Sequence, residues 1–197
     1  MTKRCYLHIG LHKTASTSFQ HTCAQNIDLL QKNKITYPIF KCDAANRPKI
    51  TNHSIPICSL FTGKPENHSI NKRMGVSGNI KEVNDSYNNQ LEKFLTASDH
   101  LIISGETISY LNEQSLLSLI NKVQAYGFEL KVFALIRSPY AMICSALQQR
   151  IKRGQYFELI SLNDSVPASF SDTPSREKVV KRLKSVFGNS IRFENFD

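Results

Sequence analysis

Lys13 stands three residues after Gly10 and is followed by Thr14, Ala15, Ser16, Thr17 and Ser18. One compact positive charge, four hydroxyls and a run of small residues are what a phosphate or sulfate group needs, because donors must approach such an anion closely. A second set lies far along the chain, where Arg137 precedes Ser145 by eight residues. A guanidinium and a hydroxyl can share one phosphate. Glu106, His53 and His12 are candidate proton acceptors: a carboxylate in a protected site or an imidazole can serve as a general base near neutral pH. Each residue also has a plainer reading. Lys13 can be a solvated lysine at a helix start, Arg137 and Ser145 can be surface residues, Glu106 can cap the turn after it, and His53 can be a solvated loop histidine.

The elements that must position these residues follow from hydrophobic period and punctuation. Residues 6–9 form a short apolar run suited to a buried strand, and Gly10 ends it. A helix over 17–32 follows, with Phe19, Cys23, Ile27 and Leu30 as its apolar positions. A strand that turns into a helix aims several backbone N–H groups at one spot, and the helix dipole favours negative charge there. Residues 100–106 read as a strand ending at Glu106. The run 130–136 is the most apolar strand, expected at the centre of a parallel sheet, and it ends at Arg137. Ser138 and Pro139 then open a helix as cap and first residue, which puts Ser145 about two turns along, some ~10 Å up its axis.

Strands alternating with helices predict an α/β chain, a three-layer αβα arrangement around a mainly parallel sheet. In such sheets ligands sit at the carboxyl ends of the strands, and the loop after Ile9, Glu106 and Arg137 all fall there. Between these segments, 35–40 reads as a short strand that Pro38 restricts to an edge. Residues 41–80 read as a loop-rich insertion with one short helix at most, near the apolar patch 55–61. Residues 83–97 are a helix, and Asn112 caps another that stops at Gly127. After a loop containing Pro167 come a basic helix over 175–187 and a last strand over 191–196.

Composition narrows the function classes. The 197 residues suit one domain with a real core, and 41% apolar with 21% charged is ordinary for a globular chain. The net charge of +9 is dispersed, which points to an anionic small ligand rather than to nucleic acid. No interleaving of aromatic and basic residues suggests an RNA-binding sheet. The five cysteines are scattered and never in Cys-x-x-Cys spacing, so reduced thiols and a cytoplasmic compartment are expected. No signal peptide or stable membrane insertion is expected.

The phosphate loop of nucleotide hydrolases, Gly-x-x-x-x-Gly-Lys-Ser/Thr, does not fit. Counted from Gly10, the second glycine falls on Ala15 and the lysine on Ser16. Gly10-x-x-Lys13-Thr14-x-Ser16-Thr17 directly after an N-terminal strand instead resembles the 5'-phosphosulfate loop of the sulfotransferases that use 3'-phosphoadenosine 5'-phosphosulfate (PAPS). Many members carry Gly where this chain has Ala15, a replacement compatible with the loop if the backbone there needs no positive φ. Arg137-Ser-Pro with Ser145 eight residues on is similar to the family's 3'-phosphate site. The glutamate closing the 100–106 strand and the Asn52–His53 pair are looser matches to bacterial members acting on glycans.

The resemblance implies a P-loop-like sulfotransferase fold over a single domain, 1–197, with the 41–80 insertion. It implies PAPS as co-substrate, 3'-phosphoadenosine 5'-phosphate (PAP) as product, no metal, and a hydroxyl or amine acceptor, with carbohydrate or glycolipid favoured. His12, Lys13, Thr14, Ala15, Ser16, Thr17 and Ser18 would hold the 5' side of the nucleotide and Arg137 with Ser145 the 3' side. Lys13 would act on the leaving oxygen and Glu106 or His53 on the acceptor proton, with His12 a third option for that role. Family members continue beyond the strand matching 191–196, whereas this sequence stops at Asp197, so a shortened or degenerate member is expected. A P-loop-like kinase and a catalytically inactive PAP-binding domain are the alternatives.

Overall fold

The computed structural model describes residues 2–152, 154 and 176–196. Five strands form one sheet: β1 (Lys3–Ile9), β2 (Ile35–Thr36), β5 (His100–Gly105), β6 (Phe128–Ile136) and β7 (Ile191–Asn195). Their order is β2-β5-β1-β6-β7, and every pairing among them is parallel. Eight helices accompany the strands among the described residues: α1 (Ser16–Gln25), α2 (Ile27–Lys32), α3 (Ser54–Phe61), α4 (Ser69–Met74), α5 (Ile80–Ala97), α6 (Glu113–Ala125), α7 (Pro139–Lys152) and α8 (Arg176–Phe187). The arrangement is the three-layer α/β architecture that the alternating pattern predicts.

The sheet buries one face deeply and the other in part. Cys5, Leu7 and Ile9 of β1 are buried on one side and His8 on the other, while Leu101 and Ile103 of β5 and Leu130, Val132 and Ala134 of β6 continue the layers. Helices contribute stripes at helical spacing, such as Val83, Tyr87, Leu91 and Leu95 in α5 and Val179, Leu183 and Phe187 in α8. Their ends follow local chemistry. The Asn112 side chain accepts from the Ser115 N–H at 2.8 Å to cap α6, and Gly127, at φ 81, closes its C-terminal turn.

Three expectations need correction. The middle strand is β1, not β6. In β6 the apolar run buries Phe128, Leu130, Val132 and Ala134 on one face while Glu129 and Lys131 on the other are exposed, so it marks the strand as interior without ranking it. The helix over 17–32 is two helices broken at Asn26, whose N–H and side-chain amide both return to the Thr22 carbonyl, a local alternative that ends the first helix. The 41–80 stretch is far more ordered than a loop. It holds an antiparallel hairpin of β3 (Phe40–Cys42) and β4 (Arg47–Ile50), then α3, α4 and short 3-10 turns. Its three prolines conceal this: Pro48 lies in the short β4, Pro65 starts a 3-10 turn, and Pro56 lies in the first turn of α3, where its missing N–H has no helical partner to lose. Pro167 and Ser175 fall outside the described residues.

Candidate functional site

The sheet order determines where a ligand can sit. From β1 the chain moves one way across the sheet to β2; from β5 it crosses β1 to β6 and continues the other way to β7. The loops leaving β1 and β6 therefore diverge, and a crevice opens at the carboxyl ends of these neighbours. Register brings the strand ends level. Ile9 pairs with Gly105, which puts Gly10 beside Glu106, and the Gly10 N–H donates to the Gly105 carbonyl at 3.2 Å.

A cavity of about 430 Å³ occupies this edge. The loop residues Lys13, Thr14, Ala15, Ser16 and Thr17 line it, together with Glu106, Arg137 and Ser145. Segments more than a hundred positions apart thus share one site. The backbone of the loop explains its concavity. Lys13 and Ala15 both adopt left-handed conformations, with φ of 68° and 54°, and Ala15 is the residue from which α1 starts. Left-handed residues in a tight turn aim successive N–H groups inward, a nest for an anion. The condition that Ala15 need no positive φ is not met: this alanine occupies a conformation that glycine adopts without strain.

Each hydroxyl has its own place. The Thr14 side chain is buried and donates to the Leu11 carbonyl, so it braces the loop. Ser16 is also buried, and its Oγ has no hydrogen-bond partner among the described residues although Ser16 lines the cavity. A buried hydroxyl without a partner is costly and rare. Thr17 is exposed and lines the cavity; Ser18 is exposed and lies outside it. Gly10 makes room for this arrangement, since a Cβ there would come within 2.2 Å of Ser16 Oγ and 3.0 Å of the Glu106 Cα.

Glu106 faces the site. Its Oε1 lies 2.5 Å from His12 Nδ1, and it makes no side-chain cap to the turn that follows. Burial alone would raise its pKa. The hydrogen bond and charge of His12, the charge of Lys13 and the Lys13 backbone N–H together outweigh burial and hold the carboxyl below its ordinary range. Glu106 is therefore ionised near neutral pH. His12 itself does not line the cavity; it reaches the site through this pair, with its ring 5.1 Å from that of Tyr110.

His53 is not brought to the site. It is fully buried, with Nδ1 accepting from the Ser104 N–H at 2.9 Å and Nε2 2.7 Å from the Pro38 carbonyl, to which it must donate. The rings of Tyr37 and Phe40 lie at 4.5 and 5.7 Å. Burial pushes its pKa down to about 4. The neutral ring thus ties β5 to the segment after β2, and the expectation that it contacts an acceptor from a loose insertion is withdrawn. Its neighbour Asn52 accepts from the Ser54 N–H and, at 3.4 Å, from the Gln20 amide.

Three contributors escaped sequence reasoning. Gln149 lines the cavity four residues after Ser145, one helical turn along the same face of α7, so its spacing was the available signal. Phe196 also lines it, with its ring 5.4 Å from the Arg137 guanidinium and its N–H donating to the Ile136 carbonyl. Arg176, the first residue of α8, hydrogen-bonds the carbonyls of His12 and Arg137. Among the described residues, no helix is long and apolar enough to cross a membrane. Compared with protein-family models and with curated proteins, the chain finds no match.

Proposed function

We propose that the protein is a sulfotransferase that moves a sulfuryl group from PAPS to a hydroxyl or amine of an acceptor. The observation that carries this reading is one cavity lined by both the Lys13–Thr17 loop and the Arg137–Ser145 pair. A nucleotide with phosphates at both 5' and 3' positions needs two separate anion sites on one wall. The partnerless Ser16 hydroxyl, for which Gly10 leaves room, fits an oxyanion seated on the loop.

In the transfer, the acceptor atom bonds to sulfur as the bond from sulfur to the 5'-phosphate oxygen breaks, the acceptor proton is removed, and PAP departs. In this reading Lys13, which lines the cavity, neutralises the charge that develops on the leaving oxygen, and donors aimed at developing charge are the largest lever in such reactions. The nest N–H groups with Ser16 and Thr17 hold the 5' side, while Arg137, Ser145 and Gln149 hold the 3' side. Glu106, ionised and facing the cavity, takes the acceptor proton, and His12 orients its carboxylate. A sugar hydroxyl is the acceptor group we favour.

A kinase reading gains one observation. The strand beside β1 ends in a carboxylate, Glu106, where a magnesium-bound nucleotide would want one. That carboxylate is engaged by His12 and the Lys13 N–H, and an arginine ends the strand on the other side. Thermal unfolding with PAP, adenosine 5'-phosphate, and ATP with magnesium decides among these. PAP should raise the melting temperature without magnesium, and adenosine 5'-phosphate should do so far less. Equal effects of both adenosine phosphates would remove the 3'-phosphate assignment, and stabilisation by magnesium ATP alone would favour the kinase. PAP binding with no transfer to any acceptor would leave a PAP-binding domain.

A further inference from the structure

We infer that Arg176 is a positioning residue whose guanidinium clasps the peptide that carries Lys13. The inference rests on the role given to Lys13 above. One guanidinium nitrogen of Arg176 donates to the His12 carbonyl at 2.6 Å and another to the Arg137 carbonyl. The first of these carbonyls belongs to the His12–Lys13 peptide. The N–H of that same peptide points the other way, to the Glu106 carboxylate. The carbonyl of Lys13 in turn accepts from the Arg137 guanidinium at 3.3 Å. Lys13 is therefore gripped on three sides, from the ends of β5 and β6 and from the start of α8.

The grip has a reason. Lys13 holds φ at 68°, a left-handed conformation that costs an ordinary residue of order 1–2 kcal/mol and persists only when its surroundings over-determine it. An anion-binding lysine displaced by an ångström loses most of its leverage on a reacting atom. A guanidinium suits the clasp because its planar fork presents several N–H groups in fixed directions, so it can bridge two carbonyls that a single ammonium reaches less well. It is also held on a rigid support: Val179, Leu183 and Phe187, three, seven and eleven residues further along the same face, bury α8 against the core. The same fork fixes the loop after β1 relative to the tip of β6, and hence the spacing between the two anion sites.

The test compares wild type, Arg176→Ala and Arg176→Lys by residue-resolved amide exchange and by kinetics. In Arg176→Ala the Lys13 amide should exchange at least about tenfold faster, the scale of one lost hydrogen bond, while the Leu7 and Ile9 amides of β1 keep wild-type protection. Transfer should fall about tenfold or more, and Arg176→Lys should recover part of both losses. In a Lys13→Ala background, Arg176→Ala should cost little further turnover, because residues acting through one another are not additive. Unchanged Lys13 exchange, equal acceleration throughout β1, or fully multiplicative losses in the double variant would each overturn the clasp. Failure of wild type to bind PAP would instead strike the proposed function, and the exchange measurement would still decide the clasp.

Discussion

Ser16 Oγ occupies the space that a side chain on Gly10 would need, 2.2 Å from where its Cβ would stand. The two residues belong to opposite ends of the anion loop, so Gly10 sets how tightly the loop closes. Gly10→Ala must push Ser16 aside and press on the Glu106 backbone, which is 3.0 Å from the same point. Overpacking of this kind costs about 1–3 kcal/mol. Chemical denaturation should show that loss, and a PAP titration should show weakened binding. A Gly10→Ala protein with wild-type stability and affinity would mean that the loop is far softer than its contacts imply.

Ala15→Gly should have the opposite sign. Relief of a left-handed alanine is worth of order 1–2 kcal/mol, and the extra freedom of glycine in the unfolded chain returns roughly 0.5–1 kcal/mol of that. The net gain should raise the melting temperature by about 1–4 °C for a chain of this size. A fall in melting temperature would show that the φ of 54° at Ala15 carries no strain.

Lys13→Ala should separate transfer from binding. On the proposed reading the charge that Lys13 meets develops in the transition state, so turnover should fall by orders of magnitude while PAP affinity changes modestly. Near-normal turnover removes Lys13 from the chemistry.

Glu106→Gln keeps the shape of the side chain and removes its basicity. Turnover should drop with PAP binding preserved. Because His12 and Lys13 hold the Glu106 pKa below the ordinary 4.5, the acid limb of the rate profile should lie below about pH 4.5. An acid limb well above the ordinary carboxylate range would take the base role away from Glu106.

Acid should unfold the protein through two buried histidines. His8 and His53 titrate near 4 in the folded state against an ordinary 6.5, chiefly because burial penalises their charged forms. The unfolded chain then takes up protons first, so stability is complete above pH 6.5 and declines as pH falls toward 4. Each histidine contributes about 3 kcal/mol at most to that decline. His53→Ala should flatten this slope and, by stranding the Ser104 N–H and the Pro38 carbonyl, cost about 3 kcal/mol at neutral pH. A pH-independent stability between 7 and 5 would contradict both assignments.

The loop from Lys13 to Thr17, Glu106, Arg137 and Ser145 were legible because each follows the carboxyl end of an apolar strand, and parallel sheets collect those ends on one edge. Gln149 was legible in principle from one helical turn of spacing. The fate of the histidines was not. His53 differs from a solvated loop histidine only through partners 15 and 51 positions away, and no local pattern encodes them. His12 joins Glu106 only because β1 and β5 pair in a register that brings Gly10 level with Glu106. The order within 41–80 was hidden for another reason: prolines at strand, turn and first-turn positions look the same in sequence as prolines in loops.

The central place of β1 also governs when the site can exist. The first strand to be synthesised needs partners from the middle and later parts of the chain; Arg4, for instance, pairs with Glu129, 125 positions away. Closing such long loops precedes any gain from the contacts, so folding should be slow for a chain of this length. A ribosome-bound chain released up to α6 would carry the whole Lys13 loop and still lack β6, Arg137 and Arg176. On the proposed reading, nucleotide capture would therefore begin only once α8 has emerged, and a ligand added during synthesis could act as a late check on completed folding.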